Sequence, residues 1–187
     1  MALSRNSKPH VLDLVYAFGI FAGYVILYRL NDALIGSTHF GGVASLIFLP
    51  AFVRLLGFLL IGPWTIFPLF FAALICVDLG LGIGQQVIVA MALSCGAPIA
   101  LAFACKMTEL NPTLSNLTVG RMFVLSLASA VGSSAAYNIS LIIVGNENAS
   151  PSTTLAALAG DTLGTWAVIY TLKLILTAVG RLLPKRR

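Results

Sequence analysis

The sequence is poor in charge and almost without histidine. Of 187 residues, 11 are Lys or Arg, 6 are Asp or Glu and 2 are His, and charged side chains make up only 9% of the chain. An average soluble domain carries roughly 25% charged residues. So few charges cannot solvate the surface of a globule of this size, which excludes a soluble globular domain and a disordered chain. The three cysteines, Cys76, Cys95 and Cys105, each lie within an apolar run. No CxxC or metal-ligand spacing joins them, so a disulfide scaffold and a cysteine metal site are excluded and the thiols read as small buried hydrophobes. His10 and His39 fall at the edges of apolar runs, which excludes a haem held between facing intramembrane histidines. HExxH, P-loop, nucleophile-elbow and dinucleotide fingerprints are all missing. No enzyme activity, cofactor or metal is expected.

What the chain has in abundance is apolar surface: 59% of its residues are hydrophobic, with a mean hydropathy of +0.99. The fold class this implies is an all-α membrane protein, a polytopic helical bundle. A helical span takes about 20 apolar residues. The runs place about six spans near 11–28, 41–62, 63–84, 87–105, 119–144 and 153–176. A basic tail, 1–10, precedes the single transmembrane domain 11–178, and a second basic tail, 179–187, follows it. The first run is too long for a signal-peptide core and lacks a small-x-small cleavage site, so it is expected to be retained. Ile61-Gly62-Pro63-Trp64 supplies a tight turn between the second and third spans, with Trp64 suited to the interface.

The net charge of +5 reflects orientation rather than nucleic-acid binding. With six spans, Arg5, Lys8, Lys106, Arg121, Arg181, Lys185, Arg186 and Arg187 share one side, and Arg29 stands alone on the other. That asymmetry puts both termini in the cytoplasm of a multi-pass protein, expected in a bacterial inner membrane, with the basic residues facing anionic headgroups.

Ionisable groups inside a bilayer need a partner, a wet cavity or a snorkelling route. Asp161 lies roughly eight residues, about 12 Å, into the sixth span, between Gly160 and Gly164, whose spacing suits close helix approach. Two readings stand side by side: a ligand, proton or cation site, and a structural acid paired across helices. Asp78, near the outer end of the third span, and Asn138, on the fifth, map with Asp161 to the outer half. A three-helix polar cluster is expected there, with Arg29 available to neutralise an acid. Arg54 is expected towards the cytoplasmic half of the second span, locking helices, with Asp13 a candidate partner and Pro50 one turn earlier. Lys173 can snorkel. Ala128, Gly132 and Ala136 give the fifth span a small-residue face for packing in the bundle.

Two stretches carry a resemblance. Ile47-Phe-Leu-Pro-Ala-Phe-Val-Arg-Leu-Leu-Gly57 with Gly62-Pro-Trp64, and Ala159-Gly-Asp-Thr-Leu-Gly-Thr-Trp166, resemble motifs of the MASE1-type integral membrane sensor domains of bacteria. Pro50, Arg54, Gly160, Asp161 and Gly164 match motif positions. The family usually carries a cytoplasmic output domain and more spans. No such domain occurs in these 187 residues, so the resemblance implies a stand-alone sensory or accessory subunit that works through a partner protein. Two rival expectations are a small-solute or ion carrier, such as the substrate-binding subunit of a vitamin importer, and a structural subunit of a larger membrane complex or homo-oligomer.

Overall fold

In the computed structural model, residues 11–35, 39–40, 44–111 and 113–182 are described. Among the described residues six α-helices carry the fold: α1 (Val11–Ile35), α2 (Ala51–Ile61), α3 (Ile66–Cys76), α4 (Ile83–Met107), α5 (Val119–Ile143) and α6 (Pro151–Leu182). A two-residue antiparallel pair, β1 (His39–Phe40) with β2 (Ala44–Ser45), lies between α1 and α2. Among the described residues, five stretches are long and apolar enough to cross a membrane: Leu12–Leu34, Ala51–Cys76, Ile83–Met107, Val119–Ile143 and Pro151–Ala178. The molecule is thus all-helical in its architecture and built to the dimensions of a bilayer. The basic tails 1–10 and 183–187 lie outside the described residues.

The expected first, fourth, fifth and sixth spans correspond to α1, α4, α5 and α6. The expected second and third spans, 41–62 and 63–84, are corrected. Helix begins only at Ala51, with Pro50 as its N-cap, where a missing N–H costs nothing and the fixed φ suits a helix start. It stops at Cys76, ahead of Asp78 and the glycines at 80 and 82. Between them Gly62–Thr65 forms a 3-10 turn.

This turn reverses the chain. A Cβ on Gly57 would sit 2.8 Å from the Thr65 side chain, whereas eight residues of straight helix would separate the two by about 12 Å. Val53 and Cys76 belong to one buried cluster with Ile20 and Tyr24 of α1, although a straight rod would hold them roughly 35 Å apart. Gly62 takes φ 62°, a left-handed conformation that glycine adopts without a Cβ penalty. α2 and α3 therefore run in opposite directions, and both pack along α1.

The remaining order follows from three clusters. At one end Leu55, Phe58 and Leu59 of α2 pack with Leu101 and Ala104 of α4, Leu125 of α5 and the 108–118 connection. At the other, Val77, Leu79 and Leu81 pack with Val89, Leu93, Tyr137, Leu141 and the 144–150 connection. The third surrounds Ile20 and Tyr24. α4 and α5 meet most closely: a Cβ on Gly96 would collide with Ala136 and the Gly132 backbone, and one on Gly132 with Ala100 and the Gly96 backbone. Gly132 and Ala136 thus serve the packing expected of them, and Ala128 packs against the Leu101–Leu125 cluster. The partner glycine, Gly96, was not singled out from sequence.

Local signals set the helix starts. Thr118 Oγ1 accepts the Arg121 N–H at the start of α5 (3.3 Å), and Ser150 Oγ accepts the Thr153 N–H at the start of α6 (3.2 Å), with Pro151 in the first turn where its missing N–H costs nothing.

Candidate functional site

Arg54 stands in the first turn of α2, only 3% exposed. Its Nη1 donates to Asp161 Oδ2 of α6 at 3.0 Å, and its Nη2 donates to the Tyr24 hydroxyl of α1 at 3.1 Å. Ser133 of α5 donates its hydroxyl to the same Asp161 oxygen. Asp161 is 6% exposed, and its own carbonyl accepts from Thr165 Oγ1 at 2.7 Å. The ring of Phe48 lies 5.0 Å from the guanidinium carbon and that of Tyr24 5.7 Å, within the range of cation–π attraction. Phe48 is edge-on to both Tyr24 and Tyr28. One buried cation and one buried anion thereby join α1, α2, α5 and α6.

The segment leading into α2 is equally well held. The Phe48 N–H donates to the Gly160 carbonyl of α6 at 2.9 Å, and the Leu49 N–H to Asn31 Oδ1 of α1 at 3.0 Å. A Cβ on Gly164 would collide with the Phe48 backbone. Non-helical backbone survives in an apolar bundle only where protein groups satisfy its polar atoms, and here two helices do so. Gly160 and Gly164 were expected to let a helix approach; Gly160 offers its carbonyl to the Phe48 N–H and Gly164 leaves room for the Phe48 backbone, so the chain that approaches there is non-helical.

The polar residues singled out from sequence separate into distinct places. Arg54 and Asp161 come together. Asp161, rather than the expected Asp13, is the acid that Arg54 bonds, because α2 starts ten residues later than the expected span and Arg54 falls in its first turn, facing α6. Asp78 and Asn138 do not join them. Asp78 is exposed and accepts the Gly80 N–H at 3.0 Å, turning the chain where Gly80 has φ 65°. Asn138 is half-buried and donates to the Ser150 carbonyl at 2.8 Å, fixing the start of α6. Arg29 and Lys173 are exposed. Pro50 is buried at the start of α2. The residues that sequence reasoning missed are Tyr24, Asn31, Phe48 and Ser133. Tyr24 and Asn31 are the polar groups of α1 that fall seven residues apart on one face, and that spacing is the signal available beforehand.

The arrangement can do two things chemically. It can neutralise charge inside an apolar bundle, and it can hold a half-length helix and its lead-in chain in one position. No group of three or more His, Cys, Asp or Glu capable of holding a metal occurs among the described residues. Fold and site together define a class: an all-helical bundle of membrane-spanning dimensions, braced internally by the buried Arg54–Asp161 pair. Comparison with protein-family models, curated proteins and solved structures finds no match.

Proposed function

We propose that the chain is a non-enzymatic, six-pass membrane subunit, sensory or accessory, of the MASE1-like kind, acting through a partner protein from a bacterial inner membrane. In this reading Ala51–Cys76 makes two passes, one by the 46–50 segment with α2 and one by α3. The reversal at Gly62–Thr65 supports it, as does Trp64, exposed at that turn where an interfacial aromatic belongs. So does the placement of Lys106 and Arg121 at the same end as that turn. α1 begins and α6 ends there too, since Ile20, Tyr24 and Tyr28 run away from Gly57 while Asp161 and Trp166 run towards Phe123. Both basic tails then face the cytoplasm.

The observation that carries the reading is the buried Arg54–Asp161 pair closed over by Phe48 and Tyr24. It ties α1, α2, α5 and α6 together at one place, so a change at any one of these helices bears on the other three. The last stretch of α6, Tyr170–Ala178, is exposed on every side and offers itself to a partner. The test is co-purification in mild detergent. A partner carrying a soluble output domain, recovered at fixed stoichiometry, supports the reading; a solitary, monodisperse protein overturns it.

The carrier reading has one observation in its favour: helices broken within the bundle are where transporters form their substrate sites, and α2 begins inside this one. It requires that Asp161→Asn abolish uptake or binding while the protein remains folded.

A further inference from the structure

We propose that the groove between the end of α3 and the start of α4 binds the primary ammonium of an aminophospholipid headgroup. The groove holds about 370 Å³, within the range of small-ligand sites. It lies at the end of the bundle away from the Gly62–Thr65 turn, where Val77, Leu79 and Leu81 pack with residues of α4 and α5. Six of its eight lining residues are apolar, and the two polar ones are Asp78 and Gln86. The site goes beyond the sensory reading, since it needs neither a partner protein nor the Arg54–Asp161 pair.

Both polar residues offer acceptors. Asp78 Oδ1 takes the Gly80 N–H, and among the described residues its Oδ2 has no partner. The Gln86 amide is oriented by Nε2, which donates to the Val77 carbonyl; the reverse orientation would set two oxygens against each other. Its Oε1 is buried and meets no donor among the described residues. An unmet buried acceptor is costly, and a carboxylate in the same groove selects a donor that carries positive charge. A primary ammonium has three N–H groups and answers both; a quaternary ammonium has none to give. The rim says which amine. Ile75, Ile83 and Val87 are 58%, 88% and 38% exposed, so the groove opens through apolar side chains that acyl chains cover and a water-soluble amine leaves bare. Ile83 also begins α4, and the N-terminal end of a helix favours an anion such as the headgroup phosphate.

The experiment is native mass spectrometry of the full chain in mild detergent, titrated with dioctanoyl phosphatidylethanolamine, dioctanoyl phosphatidylcholine or octylamine. The ethanolamine lipid is expected to bind about tenfold more tightly than the choline lipid, as the loss of a hydrogen bond to a charged group implies. Asp78→Asn and Gln86→Leu are each expected to bring the two lipids level. Val87→Trp, which fills the groove and leaves both polar groups unchanged, is expected to remove the preference as well. Glu109→Gln, the same loss of charge in the 108–118 connection, is expected to leave it intact. Equal binding of the two lipids by the native protein overturns the proposal. So does a preference that survives Asp78→Asn in protein with native helical circular dichroism, or one that Glu109→Gln removes equally. Should Asp78→Asn fail to fold, Val87→Trp decides, and a preference that it leaves intact overturns the site. Octylamine bound where the ethanolamine lipid is not overturns the lipid assignment.

Discussion

Arg54 and Asp161 show how much a single residue contributes when it has no water to fall back on. Truncating one member of a buried pair leaves the other as an uncompensated charge, at a cost of about 3–5 kcal/mol, whereas replacing both by apolar groups is often close to neutral. Asp161→Asn and Arg54→Met should each lower the unfolding temperature in detergent strongly, and the Arg54→Met/Asp161→Leu double variant should lie nearer the native protein than either. If the double variant simply sums the two losses, the pair is not energetically coupled. Tyr24→Phe removes a hydrogen bond to a charged group and should cost about 1.5–3 kcal/mol by the same measurement. That Arg54 and Asp161 would each need a partner was legible in the sequence, because an unpaired charge in an apolar run is costly wherever it sits. That they would find each other was not, since 107 residues separate them and depth was counted along a span assumed to be continuous.

At the scale of the element, small residues decide what may come close. Gly96 and Gly132 let the backbones of α4 and α5 meet. Gly132→Val should push the two helices apart, with an overpacking cost of about 1–3 kcal/mol, read as a lower melting temperature with retained helical circular dichroism. An equal effect of Val at Gly120, where no atom lies within 4 Å of the site of a Cβ, would contradict this account. Gly62 has a different duty, since its positive φ makes the reversal. Gly62→Ala should cost about 1–2 kcal/mol from backbone strain alone. The small-residue face of α5 was visible in its spacing. The use of Gly160 and Gly164 was not, because spacing tells that a Cβ is missing and says nothing of whether a helix or a non-helical segment fills the room.

At the scale of the molecule, the number of passes turns on one segment. Counted by length alone, Ala51–Cys76 could cross once. Its reversal at Gly62–Thr65 brings Val53 and Cys76 back to the same stretch of α1. A reporter inserted between Gly62 and Pro63 should therefore read on the same side of the membrane as one fused after Arg187, and a reporter near Asn148 on the opposite side. Opposite readings at the first two positions would restore a single pass.

Composition determined that this chain is a helical membrane bundle, because 9% charge leaves too few groups to face water, and hydrogen bonds within a helix are the local way to satisfy backbone in an apolar medium. Four of the helices, α1, α4, α5 and α6, were set by the same local physics. The tertiary structure alone decided where helix gives way to non-helical chain between α1 and α2, and which buried charges meet. A residue's depth can be counted along a helix at about 1.5 Å per residue, but not through the bends and turn of Leu46–Pro50. The course of that segment was decided by partners on α1 and α6, far away in sequence.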